Sequence, residues 1–264
     1  MNNIKEALQW NYQQNKVYMP NEIFEDLRLL HGKKCDHIAF TYSYYYLICW
    51  LFRYTKYGEM KIDTKLIKRM LGYSPDNKKI NYIIKKNGLL DQIGYTLTDS
   101  NYPISWDYND GDIEFTLISD MDEEVRKTFY QYRGNNFKVK LPIKAIWRTK
   151  ESKEEGLWDG TFYEIENTHC IPFDVFSFCL ENDNLGVTGF YVYAYFKCKC
   201  QWFNGRYNKS IENISEEIGM AKNTVDKYLN SLKKSEMVNW EENDKYKVEK
   251  NEVTKEARTY EITY

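Results

Sequence analysis

Apolar residues in this chain fall into helical stripes divided by short polar turns, and the arrangement occurs twice. Between Phe40 and Tyr54, the residues Tyr44, Ile48, Leu51 and Phe52 recur at helical spacing, which predicts an aromatic-rich buried helix. Tyr191, Ala194, Tyr195 and Cys198 do the same between Phe190 and Trp202. Similar segments lead into both helices: Tyr18-Met19-Pro20-Asn21-Glu22-Ile23-Phe24 is echoed by Cys170-Ile171-Pro172-Phe173-Asp174-Val175-Phe176. A shorter helix ending in glycine follows each, predicted over Asp63–Leu71 before Gly72 and over Ser210–Ile218 before Gly219. Ile67 corresponds to Ile214, and Leu71 to Ile218. An internal repeat of this kind takes precedence over local features in reading a fold.

A further helix is predicted after each glycine. Ser74-Pro75 is a start signal, serine as N-cap and proline at the first helical position, so the first copy should run from Pro75 to Asn87. Gly88 suits the left-handed position that closes a helix. The second copy should run from Ala221 to Lys234, without an evident capping residue. Ile80, Ile83 and Ile84 match Val225, Tyr228 and Leu229, and Tyr95 and Trp240 follow at equal distances downstream. Strands come next. In the first half they are Ile93–Leu97 and Ile113–Ile118, and in the second Met237–Glu241 and Tyr246–Glu249 about a Glu242-Asn243-Asp244 turn, with a further strand at Thr259–Thr263. Between the halves lie a helical patch at Met121–Tyr130 and strands at Phe137–Leu141 and Phe162–Ile165. The resulting expectation is an α+β chain of two winged helix-turn-helix units in tandem, related by duplication. Their bounds are 1–118 and 169–264, with a connecting α/β segment at 119–168.

The polar faces of the two second helices carry the candidate chemistry. Residues i, i+3, i+4 and i+7 of a helix share a face. Opposite the isoleucines stand Lys78, Asn81, Tyr82 and Lys85, edged by Lys79 and Lys86. The second copy presents Asn223, Asp226, Lys227 and Asn230, with Lys222, Thr224, Lys233 and Lys234 nearby. Lysine holds phosphates, and asparagine can bond adenine bidentately in a major groove; an ordinary solvated face is the plainer alternative. Local charge favours the first reading. Residues 61–86 hold eight Lys or Arg and two Asp, a net of +6, and residues 206–234 hold six basic and four acidic residues, a net of +2. Asp107, Asp110, Asp112, Glu114, Asp120, Asp122, Glu123 and Glu124 supply much of the balancing acid.

Over all 264 residues the 37 Lys+Arg nearly cancel the 39 Asp+Glu, so the charges are segregated rather than absent. That suits a binder with a limited footprint, not a general coat for DNA. With 17% aromatic residues, 13 Gly and 5 Pro, the composition excludes a disordered or collagen-like chain. No apolar run is long enough for a membrane span, and Met1-Asn2-Asn3-Ile4-Lys5-Glu6 lacks a signal-peptide pattern; a soluble, cytoplasmic protein is expected. The six cysteines form no CxxC pair and read as reduced thiols, some of them in the core. Cys35, His37, His169 and Cys170 are the alternative as metal ligands, without zinc-finger spacing. No phosphate-cradling glycine loop and no HxH pair occurs, and no tyrosine has a recognisable activating neighbour. The expectation is a binding protein without cofactor, not an enzyme.

Two such units, each led by an "(I/M)P…F" segment and a long aromatic helix, resemble the tandem winged-helix replication initiators of plasmids and phages. The stretch "SIENISEEIGMAKNTVDKYLNSLKKSEMVNW" is similar to winged helices of primosomal DnaD-type proteins and phage replication proteins of low-GC Gram-positive bacteria. The abundance of Lys, Asn, Ile and Tyr over Arg and Ala fits an AT-rich coding sequence. The resemblance implies that the second helix of each unit enters a major groove. Contacts would then fall on Lys78, Asn81, Tyr82 and Lys85, and on Asn223, Thr224, Lys227 and Asn230. Implied partners are double-stranded DNA, host replication proteins and a second copy of the chain. A regulator of transcription and a protein-docking module are the alternatives. Asp226, in the middle of the second face, departs from the pattern.

Overall fold

A computed structural model describes residues 3–31, 35–109, 112–134, 137–146, 150–156, 166–242 and 257–264. The chain is mixed α+β. In order it forms α1 (Ile4–Ala7), β1 (Lys16–Pro20), α2 (Ile23–His31), α3 (Cys35–Arg53), α4 (Lys56–Glu59), α5 (Thr64–Met70), α6 (Asn81–Ile84) and α7 (Leu89–Gln92). Then come β2 (Leu97–Asp99), β3 (Pro103–Asn109), β4 (Asp112–Leu117), α8 (Glu123–Arg133), β5 (Val139–Leu141), α9 (Ile143–Ile146) and α10 (Lys150–Glu155). The remainder is β6 (Thr168–Pro172), α11 (Phe173–Glu181), α12 (Gly186–Trp202), β7 (Arg206–Ser210), α13 (Ile211–Ile218), α14 (Lys222–Lys234), β8 (Val238–Glu242) and β9 (Ala257–Ile262). The predicted strands Phe162–Ile165 and Tyr246–Glu249, and most of the Glu242–Asp244 turn, lie outside the described residues.

The two echoing segments take the same form. Each is a five-residue strand ending at a proline, Pro20 or Pro172, followed by a nine-residue helix. A long aromatic helix comes next in each half, of 19 residues in α3 and 17 in α12. The short helices α5 and α13 are capped at their N-termini by Asp63 and Ser210, whose side chains accept from Leu66 N at 2.7 Å and Asn213 N at 3.3 Å. Gly72 and Gly219 follow them with φ of +79° and +67°, a conformation that costs a residue with a Cβ and suits glycine.

Beyond those glycines the halves diverge. Ile80 and Val225 are both fully buried, but the predicted helix Pro75–Asn87 is not continuous. The chain takes i to i+3 turns at Asn77, Asn81 and Ile83, and only the single turn α6 is helical. Asn77 Oδ1 accepts from Lys79 N at 2.9 Å, and Lys68 Nζ donates to Asn77 O at 2.6 Å and to Asn81 Oδ1 at 2.7 Å. Side-chain and lysine partners thus take over from the helical ladder, the usual competition offered by asparagine. Gly88 also differs from expectation. Its φ is −73°, Asn87 holds the positive φ, and a Cβ on Gly88 would lie 2.6–2.8 Å from the carbonyl oxygens of Lys85, Ile83 and Tyr82. Glycine is required there for close backbone approach.

The chain divides into two compact units. One comprises Met1–Pro20 and Tyr44–Thr168, the other Asn21–Ser43 and His169–Tyr264. Residues 119–168, read from sequence as a connector, group with the first unit. Arg133, at the end of α8 and buried, donates to Gly58 O (2.7 Å) and Met60 O (3.1 Å), and β5 pairs antiparallel with β2. Lys140 of β5 donates to Asp91 Oδ2 at 2.5 Å and to the Lys85 carbonyl at 3.0 Å. Strands β3 and β4 form an antiparallel hairpin in this unit.

The second unit takes in α2 and the first turns of α3. Phe24 lies among Tyr42, His169, Tyr191 and Tyr195, with ring centroids 5.3–5.6 Å apart. Buried His169 is satisfied on both nitrogens: Tyr42 Oη is 2.7 Å from Nε2, and Asn21 Oδ1 is 2.9 Å from Nδ1. Cys179 and Cys198 are buried in this unit, as Cys49 is in the first; burial pushes the Cys198 thiol up to about 12. Strands β7, β9 and β8 form an antiparallel sheet in that spatial order. The predicted strand Thr259–Thr263 is its central member, β9.

Candidate nucleic-acid interface

In the second unit, α14 buries Val225, Leu229 and Leu232, an i, i+4, i+7 stripe that fixes its rotation on the core. The opposite side must therefore face solvent. Lys222, Asn223, Lys227, Asn230, Lys233 and Lys234 are exposed, and Thr224 and Asp226 are half-buried. Ala221, just before the helix and two residues beyond Gly219, gives it no side-chain cap, and α13 and α14 are joined by a tight turn.

Several of these side chains already have partners. Lys222 pairs with Glu212. Asn230 Nδ2 donates to Asp226 O at 2.9 Å and to Asp226 Oδ2 at 3.2 Å. Asp226 is itself paired with Arg258 of β9 at 3.2 Å, and the second guanidinium nitrogen reaches Glu242 at 3.7 Å. The carboxylate that interrupted the polar face in sequence is thus compensated by a cation far along the chain. Arg258 and Lys233 also lie over the Trp240 ring, 5.5 and 4.3 Å from its centroid, within cation–π range. Arg258 was not singled out from the sequence. Its place on the same face of the strand pattern as Tyr260 and Ile262, two and four residues on, was the available signal.

In the first unit Lys78, Lys79, Lys85 and Lys86 are exposed, and Tyr82 is 42% exposed. They sit on turns and on the one-turn helix α6, not along one helix face. Asn81 Oδ1 is taken by Lys68, which is only 4% exposed, so this asparagine holds the turn together. Lys140 anchors the Lys85 carbonyl, which fixes the backbone bearing Lys85 and Lys86. The Asp91 carboxyl, pushed up by burial, is nonetheless held below its ordinary value by the Lys140 ammonium and by hydrogen bonds from Thr96 and Thr98.

Among the described residues no group of three or more His, Cys, Asp or Glu side chains converges on one point. His169, considered as a ligand, is turned between Tyr42 and Asn21, and the Cys35 side chain is outside the described set. Of the described helices none is long and apolar enough to cross a membrane. No protein-family model matches this chain, and neither a curated protein nor a solved structure shows significant similarity to it.

Proposed function

We propose that this chain binds double-stranded DNA, with the second unit acting as a winged helix and α14 as the helix presented to the major groove. The observation that carries the reading is the element order α12–β7–α13–α14–β8–β9 with the sheet order β7–β9–β8, behind a lysine- and asparagine-bearing face on α14. Within it Asn223, Thr224, Lys227 and Lys234 are the contacts to bases and phosphates. Arg258 removes the electrostatic objection raised by Asp226. The first unit is a diverged copy whose exposed Lys78, Lys79, Lys85 and Lys86 add phosphate contacts. Initiation of replication at a plasmid or phage origin is the cellular role we attach to this binding, on the strength of the sequence resemblance.

The test is a salt titration on a duplex selected from random sequence and on an unselected duplex. Each phosphate contact contributes about 0.9 to the slope of log affinity against log salt. The double variant Lys227→Ala/Lys234→Ala should flatten that slope by roughly 2 on both duplexes. Asn223→Ala should instead cost about 1–3 kcal/mol on the selected duplex and little on the other. An unchanged slope in a folded double variant refutes DNA binding by α14 and makes protein docking the leading role.

A further inference from the structure

The first unit contains a cavity of about 280 Å³, which shares Lys85 and Lys86 with the DNA-binding reading but whose interior that reading does not use. One part of its wall is apolar and aromatic, with Tyr44, Ile48, Tyr57 and Ile84, and the other is polar, with Thr64, Thr98, Lys85, Lys86 and Lys138. Those three lysines are exposed, and among the described residues no carboxylate pairs with them. The fourth lysine of the lining, Lys140, is different: its ammonium is committed to Asp91 and to the Lys85 carbonyl. The site therefore combines an apolar, aromatic wall with three lysines that have no carboxylate partner among the described residues. A cleft lined by one sign of charge beside low-dielectric walls concentrates counter-ions of the opposite sign, and a ligand that pairs an apolar body with an anionic group matches a lining divided between aromatic residues and lysines.

We propose that this cavity binds a small aromatic phosphate monoester, its ring in the chamber and its phosphate at Lys85, Lys86 and Lys138. The size fits: a cavity of about 150 Å³ accepts a benzene, so this one has room for a bicyclic ring and a short arm. Tyr44 and Tyr57 offer ring surface, which favours a planar body. Three free cations match a dianion better than a single carboxylate charge. This site does not depend on the DNA-binding reading, and its test contains no nucleic acid.

The experiment is isothermal titration of the full chain with 1-naphthyl phosphate, 1-naphthol, 1-naphthoate and inorganic phosphate. Binding of 1-naphthyl phosphate should be at least about tenfold tighter than that of each other probe, as expected when charge-assisted contacts and apolar burial act together. The variant Lys86→Ala/Lys138→Ala, confined to exposed side chains, should weaken 1-naphthyl phosphate about tenfold and leave 1-naphthol unchanged. Thr64→Trp, which places bulk at an exposed position of the lining, should weaken both, with the thermal transition checked for each variant. Equal affinity for 1-naphthol, for 1-naphthoate or for phosphate alone would overturn the proposal, as would full binding by the lysine variant in a folded chain.

Discussion

Replacing Lys140 with methionine tests how the first unit holds its lysine-bearing turns. Lys140 and Asp91 are 7% and 11% exposed in their side chains and 2.5 Å apart, so removing the cation leaves a buried carboxylate without its counter-charge. Breaking a buried pair in this way costs about 3–5 kcal/mol. The lower end applies, about 3 kcal/mol, because Asp91 keeps the Thr96 and Thr98 hydroxyls at 2.5 and 2.9 Å and the Asn87 amide at 2.8 Å. Loss of the bond to the Lys85 carbonyl adds about 1 kcal/mol. Native-state hydrogen exchange at Leu97–Asp99 and Val139–Leu141, the paired strands β2 and β5, reads the local effect without assuming that both units unfold together. The sign of the pH dependence follows from the carboxylate. Its folded pKa lies below the ordinary 3.8, so its stabilisation is complete above that value and is lost as pH falls through the depressed one. In Lys140→Met, acid neutralises the stranded carboxylate, and the penalty seen at pH 7 should shrink near pH 3. A double variant that also carries Asp91→Asn should recover a good part of the loss. A penalty below about 1 kcal/mol at neutral pH, or one of equal size in acid, would refute this account of the pair.

Two further outcomes follow from the same structure. Gly88→Ala should destabilise the first unit by several kcal/mol, since its Cβ would meet three backbone carbonyls at 2.6–2.8 Å that cannot retreat without disturbing α6; a thermal transition within a degree or two of the parent would contradict this. Arg258→Ala should strip the compensating charge from Asp226 and weaken duplex binding several-fold, most at low salt, while Arg258→Lys restores much of it; equal duplex affinity for Arg258→Ala and the parent would show that this ion pair plays no part at the interface.

What the sequence determined by itself was local. Apolar spacing placed α5, α13 and α14 close to their observed bounds and located α3 and α12 by their C-terminal ends, their N-termini lying several residues earlier than expected, because a stripe at i, i+4 and i+7 has one stable outcome when it can be buried. Asp63 and Ser210 marked the starts of α5 and α13, and the two echoing segments took the same strand–helix form. The tertiary structure decided what depends on partners distant in sequence. The segment 75–87 carries a helical pattern, yet Lys68, buried thirteen residues before Asn81, supplies hydrogen bonds that hold it in turns. Residues 119–168 look like a connector by position, but Arg133 and Lys140 tie them to carbonyls and a carboxylate of the first unit. Arg258 neutralises Asp226 only because β9 returns to the centre of its sheet. Spacing along a chain specifies which face a residue occupies; the energy of a buried charge or amide is set by whatever the fold brings against it.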